Sequence, residues 1–259
     1  MLLTQSTFNF MKLLFLWVAL IGAAFVLVGF GSESTPLSEA ESRQVRQRLQ
    51  AYERGELTFH EVSSAAFQTN AVAITNLARF YQTHSNEVTV PMLLPISRCM
   101  VVIGNGKEAA TLAQRYLNVY SNDCRAWDIL FAAKVMAKSY TEAIEAGTNA
   151  LAHGCEKNTH MIGVIAEGMK RPDIMEKWVV PRLLVLKDTQ EEPERRLEIL
   201  NLLVAHSLMT TNRQLYVTSL QGVDASDLEK NEDLKHWVKT GCKLFQAKET
   251  EALCKQISH

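Results

Sequence analysis

Glycine and proline are scarce, at 12 and 6 of 259 residues. This excludes collagen-like and low-complexity chains and argues against an all-β fold with its many tight turns. Charge of one sign is also lacking. The net charge is −1, and beyond the first 31 residues, which hold Lys12 and no acid, 26 basic and 28 acidic side chains remain. Without a basic excess, nucleic acid is excluded as the expected partner. No CxxC pair occurs, so neither a zinc ribbon nor a thioredoxin-type centre is indicated. HExxH, GxSxG and Walker A motifs are missing as well. His153, Cys155 and His160 cluster in sequence, but their spacing fits no common metal site. Gly104-Asn105-Gly106 has no Lys-Ser/Thr after it, so it reads as a turn and not a phosphate loop. Glu191, Glu192, Glu194, Arg195 and Arg196 read as a solvated helix start. No cofactor is implied, and the chain reads as a binding protein, not an enzyme.

Hydrophobic residues make up 47% of the chain, ample for a core, and one long apolar run stands out. Residues 13–31, LLFLWVALIGAAFVLVGFG, hold 19 uncharged positions without a polar stripe. As a helix they would cover roughly 28 Å, close to the hydrocarbon thickness of a bilayer. Lys12 precedes the run, while Glu33, Glu39 and Glu41 follow it. Positive-inside logic therefore keeps residues 1–12 in the cytoplasm and exports the rest. The expected location is a bacterial inner membrane, crossed once, with the soluble part in the periplasm. Gly29-Phe30-Gly31 offers a small-x-small cleavage site, so secretion after signal removal is the alternative. Met11-Lys12-Leu13-Leu14 also resembles a natural start.

Residues 32–57 read as a linker and a first helix, and 58–259 as the main domain. Ser38 with Glu41, and Thr58 with Glu61, have capping-box spacing. Helical periodicity follows over 71–84, 91–103, 107–120, 124–137, 140–153, 159–169, 172–186, 192–208, 212–221, 231–247 and 249–257. No run has the alternation of a strand. Pro91, Pro172 and Pro193 are expected in first turns, where a missing N–H costs nothing, and Pro181 is expected to kink its helix. The expected class is all-α: an α-solenoid of antiparallel hairpins behind one N-terminal transmembrane helix. Trp127, Trp178, Trp237 and Phe245 are expected in the core.

The 34 residues from Cys124 to Lys157 form the clearest unit. Trp127 and Leu130 open its first helix, Lys138-Ser139 break it, and Tyr140, Ala143, Ala150 and Leu151 mark its second. This unit resembles a tetratricopeptide repeat. It departs from the pattern at Phe131, Lys134, Gly147 and Cys155, and Phe131 with Gly147 reads as an exchange of large and small roles. Residues 90–123 keep the register, with Leu93 and Ile96 matching Trp127 and Leu130. The resemblance implies a concave face lined by first helices that binds a peptide or helix of another protein. On this chain it would include Arg98, Val101 and Val102, then Arg125, Asp128, Ala132 and Val135. The function so implied is a membrane-anchored scaffold or assembly factor, its partners being another protein and, through residues 13–31, the bilayer. A permanently bound structural subunit of a membrane or envelope complex is the alternative.

Five cysteines remain: Cys99, Cys124, Cys155, Cys242 and Cys254. In a repeat hairpin the start of helix one and the end of helix two share one end, which allows a Cys124–Cys155 disulfide. Cys242 and Cys254 flank a break near Lys248 and could staple a second hairpin. Five buried thiols are the alternative, and Cys99, in mid-helix, is unpaired in either case.

Overall fold

The computed structural model describes residues 36–63 and 71–257. The apolar run 13–31 lies outside the described residues. Among the described residues the structure is all-helical, without strands, and no helix is long and apolar enough to cross a membrane. The chain forms two compact units, one ending at Cys155 and the other starting at Glu156.

In the first unit α1 spans Glu39–Glu53, and its Ser38–Glu41 capping box is formed. Helical residues 59–63 follow, opened by the reciprocal bonds of Thr58 and Glu61. Then come α2 (Ala71–His84), α3 (Leu93–Val102), α4 (Gly106–Leu117), α5 (Cys124–Met136) and α6 (Tyr140–Ala152). From α2 to α6 each helix packs on the next, and α3 also meets α5. The sequence dictates the α4 face directly. Ala109, Leu112, Ala113, Tyr116 and Leu117 recur at helical spacing and are all buried. A Cβ at Gly106, the first residue of α4, would lie 2.7 Å from the Ala133 carbonyl near the end of α5, so these helices run antiparallel and touch closely. The structure joins Cys124 to Cys155, with Cα atoms 5.2 Å apart. Because Cys124 begins α5 and Cys155 follows α6, this pair is antiparallel too. A bridge across that loop is worth about 3–4 kcal/mol by the chain-entropy account. Trp127 is buried, its Nε1–H donates to the Ser121 carbonyl and its ring lies 5.3 Å from that of His153. Phe131 and Gly147 are both buried.

Several helix ends in both units close by one device. After α3, α5 and α6 the next amides bond back to carbonyls inside the last turn, with Gly104, Lys138 and Gly154 at positive φ. Lys170 and Thr211 do the same in the second unit. Thr211 at φ 52° is a β-branched residue in the left-handed region, a strained choice.

The second unit contains α7 (Thr159–Gly168), α8 (Val180–Thr189), α9 (Pro193–Met209), α10 (Arg213–Leu220), α11 (Ala225–Glu229), α12 (Glu232–Phe245) and α13 (Glu251–Gln256). The expected helix over 172–186 is present as one helical run, but it is not α-helical throughout. A short helical turn, Pro172–Ile174, passes into a π-turn, Met175–Val179, and only then into α8. Pro181 has no N–H for the preceding turn, and the wider turn before it accommodates the loss without breaking the run. Pro172 and Pro193 occupy first turns, whereas Pro91 stands ahead of α3. The short α11 was not legible, being five residues with no room for periodicity.

Around α9 a second apolar cluster gathers Leu200, Val204, Tyr216, Leu234, Val238 and Leu253. Tyr216 lies so close on α12 that a Cβ at Gly241 would fall 2.1 Å from its ring, and its hydroxyl donates to the Val238 carbonyl. Cys242 is joined to Cys254, tying α12 to α13. Buried Lys187 donates from Nζ to the Thr218 and Gln221 carbonyls, capping the C-terminal end of α10 with a cation. Trp178 is only partly buried, with Lys177 and Arg182 over its ring, and Trp237 and Phe245 are likewise partial. Trp237 and Phe245 nevertheless pack against the second unit's core, Phe245 with its ring 5.0 Å from that of Tyr216.

On α7, burial pushes His160 down to about 4, opposed by the Glu198 backbone and reinforced by Arg195. Its folded value lies below the unfolded value of 6.5, so the unfolded chain takes up the proton first. Stability from this group is present above pH 6.5 and falls as pH drops toward 4, by up to about 3 kcal/mol. Urea midpoints compared at pH 7 and pH 4.5 should show a smaller decline for His160→Leu than for the unaltered protein. An equal decline would place the acid sensitivity elsewhere.

Candidate functional site

The candidate face is built at the N-terminal end of α5. Asp123 caps that helix, its carboxylate accepting from the Arg125 backbone N–H at 3.0 Å. The same carboxylate accepts two bonds from the Arg125 guanidinium, at 2.9 and 2.6 Å, and one from the Tyr116 hydroxyl at 2.8 Å. Asp123 exposes 14% of its side chain and Arg125 51%. Burial by itself would raise the Asp123 carboxyl, but its bonds from Arg125 and Tyr116 outweigh that and hold it below the usual range. The Asp123 bonds conversely raise the Arg125 guanidinium. Burial pushes the Tyr116 phenol up, and the neighbouring Asp123 adds to it. Tyr52, at the end of α1, is also raised by burial, with Arg125 acting against it.

Sequence reasoning placed Arg98, Val101, Arg125, Asp128, Ala132 and Val135 together. The structure brings Arg98 of α3 and Arg125 of α5 to a common point. Each guanidinium carbon lies 5.3 Å from the centroid of the Phe59 ring, within cation–π range. Arg98 is partly buried there while Arg125 is exposed. Val101 and Val102 are partly buried against the unit's core, and Asp128, Ala132 and Val135 are partly buried on α5. The unanticipated members are Phe59, Asp123 and Tyr116. Two signals for them stand in the sequence. The Thr58–Glu61 box puts Phe59 at a helix start, and Asp123 directly precedes the first residue of α5, an N-cap position. Beside this face the turn between α4 and α5 exposes Val119 and Tyr120.

Other groups of chemical interest are spent structurally. Buried His206 binds Glu167 through Nδ1, joining α9 to α7. Burial pushes the Cys99 thiol up to about 12, so it carries almost no thiolate near neutral pH. Among the described residues no group of three His, Cys, Asp or Glu side chains is placed to hold a metal ion. A cavity of about 270 Å³ is lined by Arg46, Leu49, Gln50, Phe80, Glu87 and Met92, and a groove of about 560 Å³ runs beside the Cys242–Cys254 bridge. Arg46 spans the first as a bidentate partner of Glu87. No family model matches the chain, and no curated protein or solved structure does.

Removing the Asp123 carboxylate deletes a helix cap and strands the buried Tyr116 hydroxyl. Asp123→Ala should therefore cost about 2–3 kcal/mol in denaturant unfolding. Arg125→Ala should cost less, about 1 kcal/mol, because the pair is half exposed on that side. Equal losses would mean that the ion pair, and not the cap, carries the corner.

Proposed function

We propose that this chain is a membrane-anchored, extracytoplasmic scaffold or assembly factor that binds another protein through the α3–α5 face. On this reading its first unit stacks as tetratricopeptide-like hairpins. The observation that carries the proposal is the convergence of Arg98 and Arg125, from successive first helices, on one partly exposed point. Arginine and aromatic side chains are the groups on which binding energy concentrates at interfaces. The helices beneath are held by the Cys124–Cys155 bridge and the Asp123 corner, so the face is presented on a rigid support. Two disulfides suit an oxidising compartment. The apolar run behind a lone Lys12 suits an anchor with its bulk exported.

The rival reading, a permanently bound structural subunit, calls for broad exposed apolar patches. Among the described residues the exposed large apolar side chains are Val119, Tyr120, Val185, Met209 and Leu244, and of these only the first two adjoin in the chain. That distribution favours the scaffold.

The test is capture from crosslinked, detergent-solubilised membranes with the tagged full chain, followed by identification of the bound protein. Arg98→Glu combined with Arg125→Glu should recover that same protein at least tenfold less well at equal folded concentration. The double variant should lose about 1–2 kcal/mol of stability, because Asp123 then faces a like charge, so folded protein must be quantified first. Undiminished recovery by folded double variant would refute this face as the binding site.

A further inference from the structure

The two disulfides differ in what surrounds their sulfurs. In the first, Cys155 is buried, and the His153 carbonyl, an acceptor only, lies 3.8 Å from its Sγ. Attack at the exposed Cys124 would expel a thiolate into that site, without water and against the wrong end of a dipole. The second bridge has the opposite setting. Cys242 and Cys254 are partly exposed and line the groove of about 560 Å³ beside α12 and α13. Each sulfur has a hydroxyl near it. The Tyr216 hydroxyl lies 3.6 Å from Cys242 Sγ, and the Thr250 hydroxyl 3.8 Å from Cys254 Sγ. Burial pushes the Tyr216 phenol up, so it keeps a proton to donate to a sulfur that becomes negative. Exposed Lys239, Lys243 and Lys255 line the same groove. Lys255 is paired with Glu251 at 2.7 Å, whereas Lys239 and Lys243 make no ion pair among the described residues. Ammonium groups stabilise a neighbouring thiolate, and a stabilised thiolate leaves a disulfide faster. Opening this bridge also spares the fold. Leu253 and Ile257 are buried in the second unit's core and Glu249 pairs with Arg213, so α13 keeps noncovalent anchors.

We propose that Cys242–Cys254 is a thiol–disulfide exchange site, opened from the lysine-rimmed groove by a dithiol reductant. It lies in the second unit and stands apart from the α3–α5 face. One thiolate of the dithiol attacks Cys254 Sγ. The Cys254–Cys242 bond breaks and its electron pair stays on Cys242, a thiolate within reach of the Tyr216 hydroxyl and in the field of Lys239 and Lys243. The second thiolate of the reductant then attacks its own sulfur bound to Cys254 and expels Cys254 as a thiolate. The dithiol departs as a disulfide, oxidised by two electrons, and its two protons pass to Cys242 and Cys254. Lys239 and Lys243 serve twice, by drawing the anionic attacker in and by stabilising the leaving sulfur.

The test treats the folded full-length chain with dithiothreitol, quenches with acid at timed intervals and maps both bridges by mass. Cys242–Cys254 should open about tenfold faster than Cys124–Cys155, at a rate proportional to dithiothreitol concentration. Lys239→Gln with Lys243→Gln should slow that opening about threefold at low salt, and added sodium chloride should erase the difference. The same double change should leave the opening of Cys124–Cys155 as it is. Equal rates for the two bridges, earlier opening of Cys124–Cys155, or no effect of the lysine pair would overturn the proposal. So would a rate that saturates with dithiothreitol, because unfolding, and not attack from the groove, would then set it.

Discussion

The first unit turns on one carboxylate. Asp123 sits between the end of α4 and the start of α5 and accepts from the Arg125 backbone, the Arg125 guanidinium and the Tyr116 hydroxyl. A half-buried acid is costly unless its lone pairs are used, and here they are. The bond from Tyr116 fixes where α4 ends relative to α5. The backbone bond fixes where α5 begins, and the guanidinium bonds orient Arg125. The position of Arg125 over Phe59 follows from these, as does the common point it shares with Arg98. At the same end of the α5–α6 hairpin the Cys124–Cys155 bridge is anchored one residue after the cap. The corner thus combines covalent, capping and ionic restraints within three residues.

Much of the helical plan was legible because it depends on local signals. The α4 periodicity, the Ser38 and Thr58 boxes and the glycine turn at 104 are all written within a few residues of where they act. The boundaries of α2, α5 and α6 fall within a residue of those expected from pattern alone. What was not legible depends on distant groups. The helix ends near Lys138, Lys170 and Thr211 were read, but not the left-handed conformation these residues adopt there, which their types disfavour and the surrounding bonds make acceptable. The π-turn before Pro181 was read as a kink, because sequence shows the missing donor but not how the chain absorbs it.

The candidate site was half legible. Arg98 and Arg125 could be assigned to one face by the expected repeat, in which Arg98 matches Ala132, about two helical turns along α5 from Arg125. Phe59 could not, because its contact with them spans 39 and 66 positions of sequence and no periodicity links those segments. The second unit shows the same limit in its core. Gly241 looks like an unremarkable helix glycine until Tyr216 is seen pressed on its backbone. Lys187 reads as a surface charge until its ammonium is seen on the last carbonyls of α10. In both cases the residue type answers a neighbour brought by tertiary folding, and composition around it carries no trace.

The central claim is that Asp123 acts on Phe59 through Arg125. A double-mutant cycle measures this directly, with Asp123→Ala and Phe59→Ala made singly and together and their unfolding free energies compared. A coupling of about 0.5–1 kcal/mol, vanishing when Arg125 is also replaced by Ala, is the expected result. Strict additivity of the two changes would contradict the account, since it would mean that the ring and the carboxylate do not share the guanidinium.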